Sequence, residues 1–168
     1  MFEPADVAGL FDGEGWITVS TWHNAKKQYP QWSPRYIRYQ LMVGIANTNK
    51  PLIDRIHQQF GGDLYINNSA NKKNPNNRLG YTWRKSSLKA SEFLELLLPY
   101  LVVKREEAIL AIELQKHITD NKNVVRYKPE RADEIYSHRQ HIADSIRALK
   151  KRRWDTPVSS DPRTLTAA

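Results

Sequence analysis

The chain has 168 residues and no cysteine, so it can form one domain with a packed core, and disulfides, thiolate metal sites and cysteine nucleophiles are excluded. Lys and Arg outnumber Asp and Glu by 26 to 18, and the net charge of +8 favours a nucleic-acid partner, although a ribosomal or membrane-surface role is also compatible with it. No stretch of 18 residues is apolar and the first residues do not form a secretory signal, so we expect no membrane span and an intracellular protein, in an organelle or a prokaryotic cytoplasm.

The positive charge is unevenly distributed along the chain. Residues 1–20 carry a local charge of −4, so the other 148 residues carry +12. Two stretches, 21–53 and 64–91, contain basic residues and no acidic ones. Solvated surfaces usually mix both signs, whereas an acid-free basic surface suits phosphate, because phosphate neutralisation dominates affinity for nucleic acids. These two stretches therefore predict a nucleic-acid-binding surface.

The first predicted element is a helix with an unusual strip of small residues. Ala5, Gly9 and Gly13 follow one another at intervals of four, and Ala8 lies beside them. A Gly inside a helix lowers the stability of the helix by about 1 kcal/mol relative to Ala. Glycines are usually found there where another backbone approaches closely. The strip therefore predicts that this face contacts a partner helix.

Two carboxylates, Asp12 and Glu14, lie where this helix is expected to end. The C-terminal end of a helix carries unpaired carbonyls and the negative pole of the helix dipole. Negatively charged side chains at this end are therefore destabilising. A divalent metal that binds carboxylate and carbonyl oxygens would explain them. The alternative is that both residues cap the helix end or the following turn.

The two basic stretches alternate as β-strands do, over residues 16–22, 36–46, 64–66 and 78–84. We expect two hairpins, each with an apolar face toward helices and a polar, cationic face outward. The side chains expected to face the core are Ile17, Val19, Ile37, Tyr39, Leu41, Val43, Ile45, Leu64, Ile66, Leu79, Tyr81 and Trp83.

Four more helices are predicted after the first, and they complete the domain. They run from Thr48 or Asn49 to Phe60, from Ser86 or Ser87 to about Pro99, over about 102–118, and from Pro129 to about 150. The expected fold is mixed α/β (α+β), with the two hairpins forming a concave antiparallel sheet backed by helices. We expect a single domain over residues 1–150 and a tail over 151–168 that is first basic and then rich in Ser, Thr and Pro.

The motif of the first helix resembles a known family. Residues 7–15 read VAGLFDGEG and resemble the LAGLIDADG motif of homing endonucleases, with Ala8, Gly9, Leu10, Asp12 and Gly15 identical. The resemblance extends over about residues 5–115. It includes an NTDxxLL-like start of the second helix at 47–53, a glycine pair before the third strand at 60–62, and an LLPYLxxKK-like segment at 98–105.

The resemblance implies an assembly and a substrate. Single-motif members of the family are homodimers whose motif helices pack at a two-fold axis, which matches the strip of Ala5, Ala8, Gly9 and Gly13. Each sheet would lie in the major groove of double-stranded DNA, at a long, partly palindromic site. Two active sites would then cut opposite strands across the minor groove and leave 3′ overhangs.

The resemblance also assigns catalytic residues. Glu14 matches the acid that binds Mg²⁺, with help from the Gly13 carbonyl; Mn²⁺ would substitute, and Ca²⁺ would bind without supporting cleavage. Glu14 departs from the family, in which Asp is common here. Lys104 matches a cation that stabilises developing charge or positions water, and Asn49 matches an amide that orients water, with Asn47 as the alternative. The other interpretations are a solvated cation at a helix start for Lys104 and a plain helix cap for Asn49.

Sequence readout is expected from the outward faces of the strands, where Arg and Gln can pair with guanine and adenine edges. Lysines in the turns would hold phosphates. The predicted DNA-binding residues are Thr18, Ser20, Trp22, Lys26, Lys27, Tyr36, Arg38, Gln40, Met42, Lys72, Lys73, Arg78, Thr82 and Arg84. Two alternative functions are an RNA maturase that assists splicing of a group I intron by binding its RNA, and a catalytically inactive DNA-binding protein.

Overall fold

The computed structural model describes residues 1–23, 37–67, 79–127 and 131–155. In chain order the elements are α1 (Pro4–Glu14), β1 (Gly15–His23), β2 (Ile37–Asn47), α2 (Lys50–Phe60), β3 (Asp63–Asn67), β4 (Gly80–Ser86), α3 (Leu88–Leu97), α4 (Arg105–Asp120), α5 (Lys122–Tyr127) and α6 (Ala132–Asp155). The predicted helix–hairpin order is confirmed. Only the six-residue α5 was not predicted, because it is too short to show a helical period.

The four strands form one antiparallel sheet in the order β1-β2-β4-β3. In one of the rows of paired residues that cross all four strands, Gly15 lies opposite Ile45, Ile45 opposite Trp83, and Trp83 opposite Leu64. This register aligns the start of β1 with the end of β2. The end of α1 and the loop into α2 therefore meet at one end of the sheet.

The core lies between one face of the sheet and the helices. Ile17, Leu41, Val43, Ile45 and Trp83 are fully buried from the sheet side, as their alternation predicted. The helices contribute large side chains to the same cluster, including Phe11, Ile53, Ile56, Phe93, Leu94 and Leu97. This packing confirms the expected α+β class.

Trp83 anchors the centre of this layer. Its ring centroid lies 4.8 Å from that of Phe93 and 6.4 Å from that of Phe60. Its Nε1–H donates to the Gly61 carbonyl at 2.6 Å, so the indole also secures the turn between α2 and β3. A buried indole N–H without such an acceptor would cost about 1–3 kcal/mol.

Leu64, Ile66 and Leu79 were predicted to face into the core, but none of them is buried. They are 42%, 66% and 41% exposed. Leu64 and Ile66 lie opposite Trp83 and Tyr81, so they do occupy the core face of the sheet. However, β3 is an edge strand, and α2 and α3 pack against β2 and β4.

The other edge strand, β1, packs against α1 and α4, and a side chain of α6 also bonds to its main chain. The ammonium of Lys150 donates to the Ile17 carbonyl, and burial lowers the pKa of this lysine. Helix α6 continues to Asp155, five residues beyond the boundary expected for the domain, and residues 156–168 of the expected tail lie outside the described residues. Among the helices that the structure describes, none is long and apolar enough to cross a membrane.

Candidate functional site

The end of α1 presents one accessible carboxylate. Helix α1 ends at Glu14 and β1 begins at the next residue, so Glu14 lies at the junction, and both it and Gly13 are exposed. No hydrogen bond or ion pair joins the Glu14 carboxylate to any residue that the structure describes. The last carbonyls of a helix have no partner within it. Glu14 and the neighbouring carbonyls thus form an oxygen-rich, open site.

The second acid of the motif, Asp12, is already engaged by the backbone. Its Oδ2 accepts from the N–H groups of Val102 and Val103 at 2.8 and 3.1 Å, and its Oδ1 accepts from the Lys104 N–H at 2.9 Å. Asp12 therefore caps the turn that precedes α4. The alternative that the motif acids are caps holds for Asp12, whereas Glu14 has no such role among the described residues.

The structure brings Lys104 to the same place. The residue is 5% exposed, and its ammonium donates to the main-chain carbonyl of Asp12. A cation near the end of a helix is favourable, because it opposes the negative pole of the helix dipole. Lys104 thus places a buried positive charge one residue before Gly13.

The two asparagines lie at the end of β2 and the start of α2. Asn49 is the N-cap of α2 and its Oδ1 accepts from the Leu52 N–H at 3.2 Å, while the Oδ1 of Asn47 accepts from the Asn49 N–H at 2.8 Å. Because Gly15 lies opposite Ile45, both asparagines are at the end of the sheet where α1 ends. Both amides use their oxygen in these bonds.

The described part of one chain does not contain a complete carboxylate and histidine metal site. No group of three or more His, Cys, Asp or Glu side chains is close enough together among the described residues to hold a metal ion. The donors at the end of α1 are one carboxylate and helix carbonyls, which are hard oxygen ligands of the kind that Mg²⁺ and Ca²⁺ prefer. These donors fit such an ion if further oxygens come from outside the chain.

The strip of small residues on α1 is mostly exposed. Ala5, Gly9 and Gly13 are exposed, and a Cβ atom built on either glycine meets no atom of the described residues within 4 Å. The described part of the chain therefore gives no steric reason for glycine at these positions. The assignment of Ala8 to the strip was wrong, because Ala8 is 0% exposed and belongs to the core that α1 forms with the sheet.

The sheet face opposite the core carries the polar side chains that the alternation predicted. On β1 and β2 they lie in opposed pairs: Thr18 with Met42, Ser20 with Gln40, and Trp22 with Arg38. Trp22 is 42% exposed and Arg38 is also exposed. Thr82 and Arg84 continue this face on β4. The predicted residues Lys26, Lys27, Tyr36, Lys72, Lys73 and Arg78 lie outside the described residues.

Arg84 belongs to a cluster that the sequence analysis missed. Its guanidinium carbon lies 4.4 Å from the ring centroid of Tyr65, its Nη2 donates to the Tyr65 hydroxyl, and Nη2 also lies 3.9 Å from Oδ2 of Asp63. The Nε of Arg84 is buried and has no hydrogen-bond partner in the described structure. The alternation of Leu64 and Ile66 already implied that Tyr65 faces outward.

Trp16 also lies on this face, where it packs across β2. A Cβ atom at Gly44 would lie 2.7 Å from Cε2 of Trp16 and 2.6 Å from the Trp83 carbonyl oxygen. Gly44 therefore makes room for the indole. Trp16 was recognised as an outward residue from the alternation of β1, but its packing on a glycine of the next strand depends on the register.

The sequence matches one family of known proteins. The family model described as LAGLIDADG endonuclease matches residues 7–112. A search of curated proteins gives no significant match.

Solved structures of homing endonucleases share the fold. The chain resembles I-CvuI in complex with its target, with a TM-score of 0.65 and 19% identity over 87% of this chain and 80% of that chain. It resembles I-TnaI with a TM-score of 0.57 and 14% identity, over 90% and 97% of the two chains. The match to I-GzeII bound to a DNA target has a TM-score of 0.63 and 18% identity, and covers 85% of this chain but 44% of that chain.

Proposed function

The chain belongs to the LAGLIDADG endonuclease family, and on this basis we propose that it is a homodimeric, site-specific homing endonuclease. It would cut both strands of a long, partly palindromic DNA site with the help of a divalent metal and leave 3′ overhangs. The observation that carries the proposal is the end of α1. There an accessible carboxylate, the Gly13 carbonyl and a buried lysine lie together at the edge of a sheet face with polar and cationic side chains.

Within each site, Glu14 and the Gly13 carbonyl would hold Mg²⁺. Such an ion would supply Lewis acidity, which makes a water easier to deprotonate for attack on phosphorus and stabilises charge on the phosphoryl oxygens. Lys104 would add positive charge beside the same phosphate. The amide of Asn49, or of Asn47, would orient the attacking water through its NH₂ group, since its oxygen is bonded to the backbone.

A homodimer explains two features of the single chain. The exposed glycines of α1 would let the motif helices of two copies approach closely, which offsets the helix propensity that they cost. Two copies would also bring two Glu14 carboxylates together at the end of the paired helices, and DNA phosphates would complete the metal ligands. The larger I-GzeII chain, of which this chain covers 44%, has room for two units of this size.

The metal proposal is supported by relatives as well as by the donor atoms. Structures of I-CvuI were solved with its target in the presence of Ca, and with another target in the presence of Mg, in which the DNA was not cleaved. They support the use of a divalent metal. We propose Mg²⁺ as the activating ion here, Mn²⁺ as a substitute, and Ca²⁺ as an ion that supports binding without cleavage. That last property permits separate measurement of the two steps.

The first test is cleavage of a randomised DNA library in Mg²⁺, with the cut ends sequenced, for the wild type and for Glu14→Gln. The wild type should enrich one long, partly palindromic site with staggered 3′ ends. Glu14→Gln should reduce cleavage by at least about 10³-fold, because its amide is a poor metal ligand, while its DNA affinity in Ca²⁺ changes little.

Glu92→Gln is the matched control, since Glu92 is an exposed acid on α3. Full cleavage by Glu14→Gln would refute the assignment of the metal ligand. If the wild type binds DNA of the library in Ca²⁺ but cuts none of it in Mg²⁺, the protein is an inactive DNA-binding member of the family. No observation on the described residues favours the RNA maturase, which stays a prediction.

A further inference from the structure

Asp12 and Lys104 are connected in both directions. The Asp12 carboxylate accepts a hydrogen bond from the Lys104 N–H, and the Lys104 ammonium donates to the Asp12 carbonyl. The two residues are 92 positions apart in the sequence. They join the last turn of α1, which bears Glu14, to the turn that begins α4.

Both carboxylate oxygens of Asp12 accept hydrogen bonds from the main chain of this turn. Three successive N–H groups, those of residues 102–104, converge on it at 2.8 to 3.1 Å. Hydrogen bonds from backbone N–H groups to a charged acceptor are stronger than those between neutral groups. The path of the main chain into Lys104 therefore depends on the negative charge of Asp12.

From this geometry we infer that Asp12 is a positioning residue, which acts on cleavage through Lys104. Asp12 holds the Lys104 main chain so that the buried ammonium reaches the end of α1. There its charge lies one residue before Gly13 and two before Glu14. The inference rests on the proposed nuclease function and adds that only one motif acid binds metal, while the other aligns the lysine with it.

An amide cannot replace this carboxylate. In Asp12→Asn, the remaining oxygen can accept from Val102 and Val103, but the NH₂ group then faces the Lys104 N–H, and two donors repel each other. The substitution changes hardly any volume. Its main effect should therefore be a displacement of the turn at Lys104, rather than the loss of α1 packing.

The test compares Asp12→Asn with Asp144→Asn in the full-length protein. Asp144 is an exposed acid on α6 that accepts side-chain hydrogen bonds from Gln140 and Arg147, so the control makes the same chemical change elsewhere. Single-turnover cleavage in Mg²⁺ is measured well below the unfolding temperature, and DNA affinity is measured in Ca²⁺. Asp12→Asn should cleave about 10 to 100 times more slowly with affinity within about threefold of the wild type. The control should match the wild type in both.

A double-mutant cycle with Lys104→Met separates positioning from general stability. If Asp12 acts through Lys104, then Asp12→Asn should slow cleavage in the wild-type background and have almost no further effect in the Lys104→Met background. Multiplicative losses in the double variant would overturn the inference. So would wild-type cleavage by Asp12→Asn at a temperature where it is folded. Failure of the proposed function is distinct from both, because the wild type itself would then cut no DNA.

Discussion

At the scale of single residues, the contact between α4 and α6 contains a histidine whose environment disfavours its charged form. The ring centroids of His117 and His138 are 4.6 Å apart, and the Nε–H of the buried Arg139 donates to Nδ1 of His117 at 3.4 Å. Burial, followed by repulsion from His138 and Arg139, lowers the pKa of His117, while Asp120 and Glu113 oppose this shift. The hydrogen bond also requires an unprotonated Nδ1.

This geometry predicts a loss of stability on acidification. Because the pKa of His117 is lower in the folded state, the unfolded chain binds a proton first as the pH falls below about 6.5, and the free energy of unfolding decreases until the folded-state pKa is passed. Thermal unfolding at pH 7.5 and 5.5 should show this decrease in the wild type and a smaller one in His117→Gln. His141→Gln, on the exposed side of α6, controls for removal of a histidine. An unchanged pH dependence in His117→Gln would contradict the prediction.

At the scale of elements, α1 has one face for the core and one for the proposed partner. A Cβ atom at Gly9 meets no atom of the described residues within 4 Å, so Gly9→Leu should leave the monomer fold intact and remove the cost of a helical glycine, about 1 kcal/mol. In the proposed dimer, the same side chain would separate the two helices. We expect sedimentation velocity to show a monomer for Gly9→Leu and a dimer for the wild type.

The control for this substitution is Ala148→Leu, which adds an apolar side chain at an exposed position of α6. It should sediment like the wild type. A Gly9→Leu variant that sediments as a normal dimer would refute the interface proposed for α1. It would also leave the exposed glycines of this helix without an explanation in packing.

At the scale of the whole molecule, the strand register gives the distance between the proposed cleavage site and the outer end of the sheet, and so the base pairs that this end would contact. Trp22 and Arg38 are paired eight residues beyond Glu14, which corresponds to roughly 26 Å at 3.3 Å per residue. With a rise of 3.4 Å per base pair, the pair would lie about eight base pairs from the cleaved phosphates. The outer part of each half-site should therefore depend on Arg38.

We expect Arg38→Ala to relax base preference at one outer position of each half-site, at a cost of about 1–3 kcal/mol in discrimination, while central positions stay as in the wild type. Sequencing of the cut library measures this profile. Arg147→Ala, at an exposed arginine of α6 in the helix layer, should leave the profile unchanged. Relaxation at the central positions instead would contradict the proposed orientation of the sheet.

Most of the fold could be predicted because helices and strands impose local periods on the sequence. The alternation of β2 separated Leu41 and Val43, which are buried, from Gln40 and Met42, which are on the outer face. Whether helices cover the apolar face of an edge strand could not be predicted in the same way. Leu64 has the same pattern as Val43, but its strand lies at the edge of the sheet, and this position follows from the strand order.

The sequence by itself determined which faces of the elements are apolar, where the positive charge is concentrated, and which motif carries the carboxylates, because each depends on residues within about ten positions. Only the tertiary structure decided which carboxylate is accessible. The three N–H groups that engage Asp12 are 90 to 92 residues away along the chain. It also decided that Ala8 belongs to the core and that Lys104 reaches the end of α1. Such contacts arise when distant segments pack together, and no local period in the sequence encodes them.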